Sequence, residues 1–305
     1  MKIAYLILAH KDPKHLARLI RSLSTQNSSF IIHIDKKTDI TDFQDIKSDN
    51  VYFTKRRVPV YYDYSIVEAT FIMMNQALSM NEDFDYLIRL AGVDYPVQPA
   101  RYIEKFFELN KGKEFIEVLP RKKGDNEFPM RRIERYYFRE NAPEYQRWLY
   151  RFFSRVDLLP DRINEFQQFD LKPYWGNALC GLSLDACLYL LDFVDKNPKV
   201  INFFKHTRVP EEMLFQTILG NSRFAENITS NIRYIDWSSK LTHPPELTLD
   251  HLVLFSENLI IKIGGREILF ANKFSSKNEE VVDQLDEIIR EKEILHLRHN
   301  NYSID

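Results

Sequence analysis

The sequence predicts an α/β fold of three layers, with helices on both faces of a mostly parallel central sheet. Three observations carry this. Short β-rich runs alternate with helical patterns through the first 120 residues. The intervening segments are long enough for right-handed crossovers, which join parallel strands. No Gly/Ser linker and no internal repeat interrupts the chain, so residues 1–305 are expected to form one domain.

The elements follow in order. Ile3–Ala9 is an unbroken apolar run, which suits a strand buried on both faces. Pro13–Leu23 is helical, with Leu16, Leu19, Ile20 and Leu23 on one side. Phe30–Ile34 and Val51–Phe53 are short β-rich runs. Ser65–Leu78 is a helix carrying Ile66, Ala69, Ile72, Met73 and Ala77 in phase. Tyr86–Leu90 is a strand, Pro99–Leu109 a helix and Glu114–Val118 a strand. Residues 120–171 then change character: arginines (131, 132, 135, 139, 147, 151, 155) interleave with tyrosine, tryptophan and phenylalanine. This stretch is expected to be an inserted amphipathic arm, its aromatics on the core and its arginines paired with acids. Beyond it, Trp175–Ser183 is β-like, Leu184–Val194 helical, Pro210–Leu219 helical from a proline at its first position, and Ile232–Asp236 a strand. Thr248–Phe255 is a short helix. Leu259–Ile263 and Arg266–Phe270, joined by Gly264-Gly265, are expected to form a hairpin. Asn278–Leu297, within a charged tail over 276–305, is expected to be a helical, solvated cover.

Composition excludes several functions. A formal charge of −2, with 44% hydrophobic and 28% charged residues, describes an ordinary globular protein without whole-molecule attraction to nucleic acid. No nucleic-acid-binding motif accompanies the basic arm, so no nucleic-acid partner is expected. Cys180 and Cys187 show neither CxxC nor Cys/His spacing and are expected to be buried thiols in a reducing compartment. No apolar run reaches transmembrane length. The chain is expected in the cytoplasm, at most peripheral on the inner membrane.

Ligands of open α/β sheets bind beyond the carboxyl ends of the strands. That rule selects His10-Lys11-Asp12, Asp35-Lys36-Lys37 and Gly92-Val93-Asp94, all polar. There is no P-loop, GxGxxG, HExxH or GxSxG, and the chain has only eight glycines. His10, His33 and His243 have no ligand spacing, so neither metal nor cofactor is expected. The stretch RVPEEMLFQT (208–217) holds adjacent carboxylates, Glu211 and Glu212, at a helix start. Helical phase alone lets either one face a cleft.

Nine short stretches bring a family into view: LAHKDP (8–13), HIDKK (33–37), VYYDYS (60–65), LAGVDYP (90–96), WGNALCGLS (175–183), PEEMLFQTIL (210–219), RYIDW (233–237), HP (243–244) and LFANKF (269–274). In this order they resemble the core-2/I-branching β-1,6-N-acetylglucosaminyltransferase and peptide O-xylosyltransferase family, glycosyltransferase family 14, in its short bacterial members. The resemblance implies a GT-A-like fold and an inverting, metal-independent transfer from a UDP-sugar to a glycan or lipid-linked glycan, as in bacterial surface polysaccharide synthesis. It implies donor contacts at Ile7, Leu8, Ala9, Asp35, Lys36, Lys37 and Tyr61. It makes Glu212 the catalytic base, Lys273 the pyrophosphate cation and Trp237 an acceptor platform. Arg132 and Arg135, from the basic arm rather than the family motifs, are further candidate acceptor contacts. Glu211 is then a cap or dipole partner of the helix start. The chain departs from the family at Asp250, where the animal enzymes carry a second pyrophosphate cation. Arg266, Lys262 or an arm arginine could stand in for it. A non-catalytic binding protein on a degenerate transferase scaffold is the competing expectation.

Overall fold

The computed structural model describes residues 1–56, 63–80, 82–120, 132–137, 143–155, 162–238 and 243–301. Its centre is a seven-stranded sheet. Strands β1 (Ile3–Ala9), β2 (Ser28–Ile34), β3 (Val51–Phe53) and β4 (Tyr86–Ala91) are parallel, in the order β4-β1-β2-β3. Helices α1 (Pro13–Leu23) and α2 (Ser65–Ser79) are among the connections. After β4 the chain forms β5 (Asp94–Pro96), α3 (Ala100–Leu109), β6 (Glu114–Phe115) and β7 (Leu119–Pro120). The arm contributes α4 (Glu144–Arg155) and α5 (Arg162–Gln167). Next come β8 (Tyr174–Trp175), paired with β7, and β9 (Gly181–Ser183), which enters the central sheet antiparallel between β4 and β6. Three helices follow, α6 (Leu184–Lys196), α7 (Pro198–Lys205) and α8 (Leu214–Gly220), and β10 (Ile228–Thr229) closes the sheet edge beside β6.

Period-2 alternation splits the buried side chains into two cores, one on each face of the sheet. Ile3, Tyr5, Ile7, Phe30, Ile32, Ile88 and Leu90 face α1 and α3. Ala4, Leu6, Ile31 and Leu87 face α2, α6 and α7. The first helix starts where its residues dictate. Asp12 adopts a left-handed backbone (φ 59°) and its side chain accepts from the His15 N–H, while Pro13 takes the first helical position.

A second sheet lies in the order β11-β14-β5, where β11 is Arg233–Ile235 and β14 is Phe270–Asn272. Between them stand α9 (Leu249–Ser256) and a small hairpin, β12 (Lys262–Ile263) with β13 (Arg266–Glu267). The expected hairpin is therefore shorter than its pattern. Phe270 leaves it because β14 pairs with β11 on one side and β5 on the other. The expected strands over 114–118 and 175–183 likewise shrink to β6 and to β8 plus β9. The C-terminal α10 (Glu279–Asn301) is more than a solvated cover. It buries Val281, Val282 and Leu285, and its Asp286 takes hydrogen bonds from Arg18 at 2.7 Å and Tyr95 at 2.8 Å. Lys292 is buried as well and donates to the Asn258 carbonyl at 2.8 Å. Desolvation lowers its pKa to about 8.

Candidate active site

The carboxyl ends of β1, β2, β4, β11 and β14 meet along one rim. Backbone bonds stitch their exits together: Asp35 N–H donates to Ala9 O at 2.9 Å and Gly92 N–H to Leu8 O at 2.9 Å. A side chain at Gly92 would bring its Cβ to 2.7 Å from that of Ala9, so only glycine permits this approach. Phe274 N–H donates to Val93 O at 2.9 Å, and Ser276 N–H to Asp12 Oδ2 at 2.7 Å. These two bonds draw the segment after β14 over the loops that follow β1 and β4. Lys273 is thereby carried to the rim.

Lys273 is partly buried. Desolvation and then the positive charge of Lys11 lower its pKa. Two cations thus act on one another at the rim, an arrangement that an incoming polyanion relieves. Sequence reasoning selected Lys11 only as a member of the polar triplet directly after β1 and gave it no role of its own. Lys262 and Arg266 are placed differently from Lys273. They lie in the hairpin before the start of β14, whereas Lys273 follows its end.

Glu212 lies on a 3₁₀ turn, Pro210–Glu212, ahead of α8 rather than inside its first turn. The helix dipole is therefore not its main electrostatic partner. That partner is Arg132, whose Nη1 donates to Glu212 Oε2 at 2.7 Å. The Glu212 side chain is 37% exposed. No described residue bonds its Oε1. The turn is held from the other side by Gly176, whose N–H donates to Glu212 O at 3.0 Å. Glu117 Oε2 accepts from Asn177 N–H at 2.9 Å, and Gln216 Nε2 donates to Asn177 O at 3.0 Å.

Beneath this turn are charges that no surface pattern reveals. Arg89, in β4, is buried and donates to Ala178 O at 2.9 Å. Arg233, in β11, is buried against Asp94 at 3.2 Å. Asp94 also accepts from Asn272 at 2.6 Å and from Ala91 N–H at 2.9 Å. One buried carboxylate thus fixes the residue before Lys273 and the end of β4 together. Glu211 is buried too, and its Oε2 has no partner among the described residues. It is not a helix cap. Burial raises its carboxyl pKa to about 7, against the lowering pull of Arg89.

The remaining expected residues divide. Asp35 is partly buried and accepts from its own Lys37 N–H at 2.9 Å, with Lys36 and Lys37 exposed beside it. Ile7 and Ala9 are buried within β1 and their side chains belong to the core; Leu8 alone of the three is partly exposed. Trp237 is 63% exposed, two residues past the end of β11 and on the side to which β14 delivers Lys273. Neighbouring Asp236 faces His251 at 3.4 Å. Arg132 is engaged with Glu212, and Arg135 is exposed. Tyr61 lies outside the described residues. Among the described residues no group of three or more His, Cys, Asp or Glu converges as metal ligands.

The fold and rim define an α/β domain that presents a part-exposed carboxylate and a pair of cations beyond the ends of parallel strands. The chain belongs to the Core-2/I-Branching enzyme family, whose model matches residues 3–259. It is similar to the β-1,3-galactosyl-O-glycosyl-glycoprotein β-1,6-N-acetylglucosaminyltransferase of bovine herpesvirus 4 (strain V. test), at 24% identity over 76% of this chain and 50% of that one. A xylosyltransferase of Ciona intestinalis is 22% identical over 94% of this chain and 34% of its own length. A human β-1,3-galactosyl-O-glycosyl-glycoprotein β-1,6-N-acetylglucosaminyltransferase 3 is 24% identical over 71% and 47%. The chain thus spans between a third and half of the length of these relatives.

Proposed function

We propose that the chain is an inverting glycosyltransferase that moves a sugar from a UDP-sugar to a hydroxyl of a glycan acceptor, without a divalent metal. N-acetylglucosamine, xylose or a hexose is the sugar, and surface polysaccharide the expected product. The observation that carries the reading is Glu212, with Oε2 held by Arg132 and Oε1 bonded by none of the described residues. The acceptor oxygen attacks the anomeric carbon while its proton passes to Glu212 Oε1. The bond to UDP breaks on the opposite face, and its electron pair goes to the pyrophosphate oxygen. Lys273 and Lys11 stabilise that charge as preorganised cations, in the place where Asp35-Lys36-Lys37 supplies no second acid for a metal. Arg132 steadies the base, and Trp237 offers a flat face to the acceptor sugar.

Donor hydrolysis and transfer with a set of UDP-sugars, with and without EDTA, test this. One UDP-sugar should be turned over, EDTA should leave the rate unchanged, and Glu212→Gln should lower it by about 10²–10⁴-fold while UDP binding persists. A rate abolished by EDTA and restored by manganese would remove the lysine-for-metal reading. UDP binding without turnover of any donor would favour a binding protein on a transferase scaffold, the alternative that Asp250 raises.

A further inference from the structure

The helix α4 shows its apolar side to solvent. Tyr145, Trp148, Leu149, Phe152 and Phe153 recur at i, i+3, i+4, i+7 and i+8, the spacing of one helical face. They are 62%, 61%, 38%, 47% and 37% exposed. Trp148 and Phe152 stack on each other at 5.7 Å, so the aromatics form one continuous ridge. Arg151 and Arg155, four residues apart, flank that ridge by helical spacing. Residues 121–155 hold ten Lys or Arg and five Asp or Glu, in a chain whose overall formal charge is −2.

We infer that α4 is a docking surface for a lipid bilayer with anionic headgroups, the aromatic ridge entering the interface and the arginines meeting the phosphates. An amphipathic helix with Trp, Phe and Leu on one face and Arg beside it lies in the plane of a membrane surface. A second copy of this chain is a poor occupant, since pairing two such arms brings like charges together. A soluble glycan is poorer still. The faces of Trp148 and Phe152 are turned to each other rather than outward for a sugar ring, and Tyr145, Trp148, Leu149, Phe152 and Phe153 themselves carry no amide or carboxylate for sugar hydroxyls.

The helix is tied to the active-site side of the molecule. Tyr150 Oη donates to Tyr136 O at 3.1 Å, and Tyr137 N–H donates to His206 O at 2.8 Å. The same short segment carries Arg132, which holds Glu212. A membrane bound along α4 would therefore present a lipid-linked acceptor to the base; this consequence rests on the transferase reading, while the surface itself does not.

Vesicle co-sedimentation of the whole chain tests the surface separately from the activity. The wild type should pellet with vesicles of phosphatidylcholine plus phosphatidylglycerol, and much less with phosphatidylcholine alone. The double variant Trp148→Ser, Phe152→Ser should bind the anionic vesicles at least roughly tenfold more weakly, from the apolar surface lost. Arg151→Gln, Arg155→Gln should weaken binding by roughly tenfold and remove the preference for anionic lipid. Tryptophan quenching by brominated acyl chains, present in the wild type and lost in Trp148→Phe, would place the ridge in the interface even if a serine variant misfolded. Three results overturn the inference: no binding to anionic vesicles, equal binding by wild type and folded variants, or a lipid-independent dimer that the Trp148→Ser, Phe152→Ser variant abolishes. Turnover of a UDP-sugar is read in solution, so failure of either idea leaves the other standing.

Discussion

Glu211 and Glu212 are neighbours with opposite surroundings, and only the three-dimensional structure separates them. Glu212 is part-exposed and bound to Arg132; Glu211 is buried with an unpartnered oxygen. The carboxyl pKa of Glu211 rises from 4.5 to about 7 through burial. The native state therefore holds a proton that the unfolded chain has already released between those two values. Stability should fall as pH rises from about 4.5 through about 7, by about 3 kcal/mol at most. Glu211→Gln, which cannot ionise, should melt close to the wild type near pH 5 and clearly higher near pH 8. Denaturation curves at the two pH values check this. A wild type equally stable at both would mean that the carboxyl ionises inside the fold without cost, through Arg89. The environment of these two residues could not be read from RVPEEMLFQT, because their charged neighbours, Arg89 in β4 and Arg132 in the arm, are distant in sequence.

At the scale of elements, the base is placed by a loop that approaches it closely. Gly176 donates its N–H to Glu212 O, and a Cβ at that position would stand 1.9 Å from Glu117 O. Gly176→Ala must push this turn off Glu117 or off Glu212. We expect a loss of about 1–3 kcal/mol in stability from overpacking and roughly 10²-fold in transfer from the displaced base, with UDP affinity little changed. Calorimetry with UDP beside turnover rates separates these effects, and a variant with normal turnover would show that the Gly176 contact does not position Glu212. Sequence patterns located the strands and helices well where they were local. Ile3–Ala9 and Pro13–Leu23 fall where their apolar patterns place them. They did worse where pairing partners decide. β9 is three residues inside a longer β-like run because only Gly181–Ser183 finds partners in β4 and β6. Phe270 abandons its hairpin for the same reason. The pairing of Arg132 with Glu212 spans 80 residues, and no spacing rule reaches that far.

The whole molecule has two poles. One is the rim where β1, β2, β4, β11 and β14 end, with Asp35, Lys11, Lys273 and Glu212. At the other, beyond the starts of β1 and β2, lies a hollow of about 900 Å³, lined by Arg18, Arg21, Glu104 and Arg290 among others. A hollow of that size is large enough to hold a small ligand. Chemistry favours the rim, where desolvation and the charge of Lys11 outweigh Glu246 in lowering the Lys273 pKa. At the hollow, Arg18 is already neutralised by Asp283 and Asp286 at 2.6 and 2.7 Å. Amide hydrogen exchange with and without UDP decides between the poles. The expected outcome is slowed exchange in the loops around Lys11, Lys37, Gly92 and Lys273, whose backbone N–H groups lie at the rim. The start of α3 and the turn at Ser24–Asn27, which border the hollow, should be unchanged. Protection confined to the hollow would move the donor site to the opposite end of the sheet, and would leave Glu212 too distant to act on it.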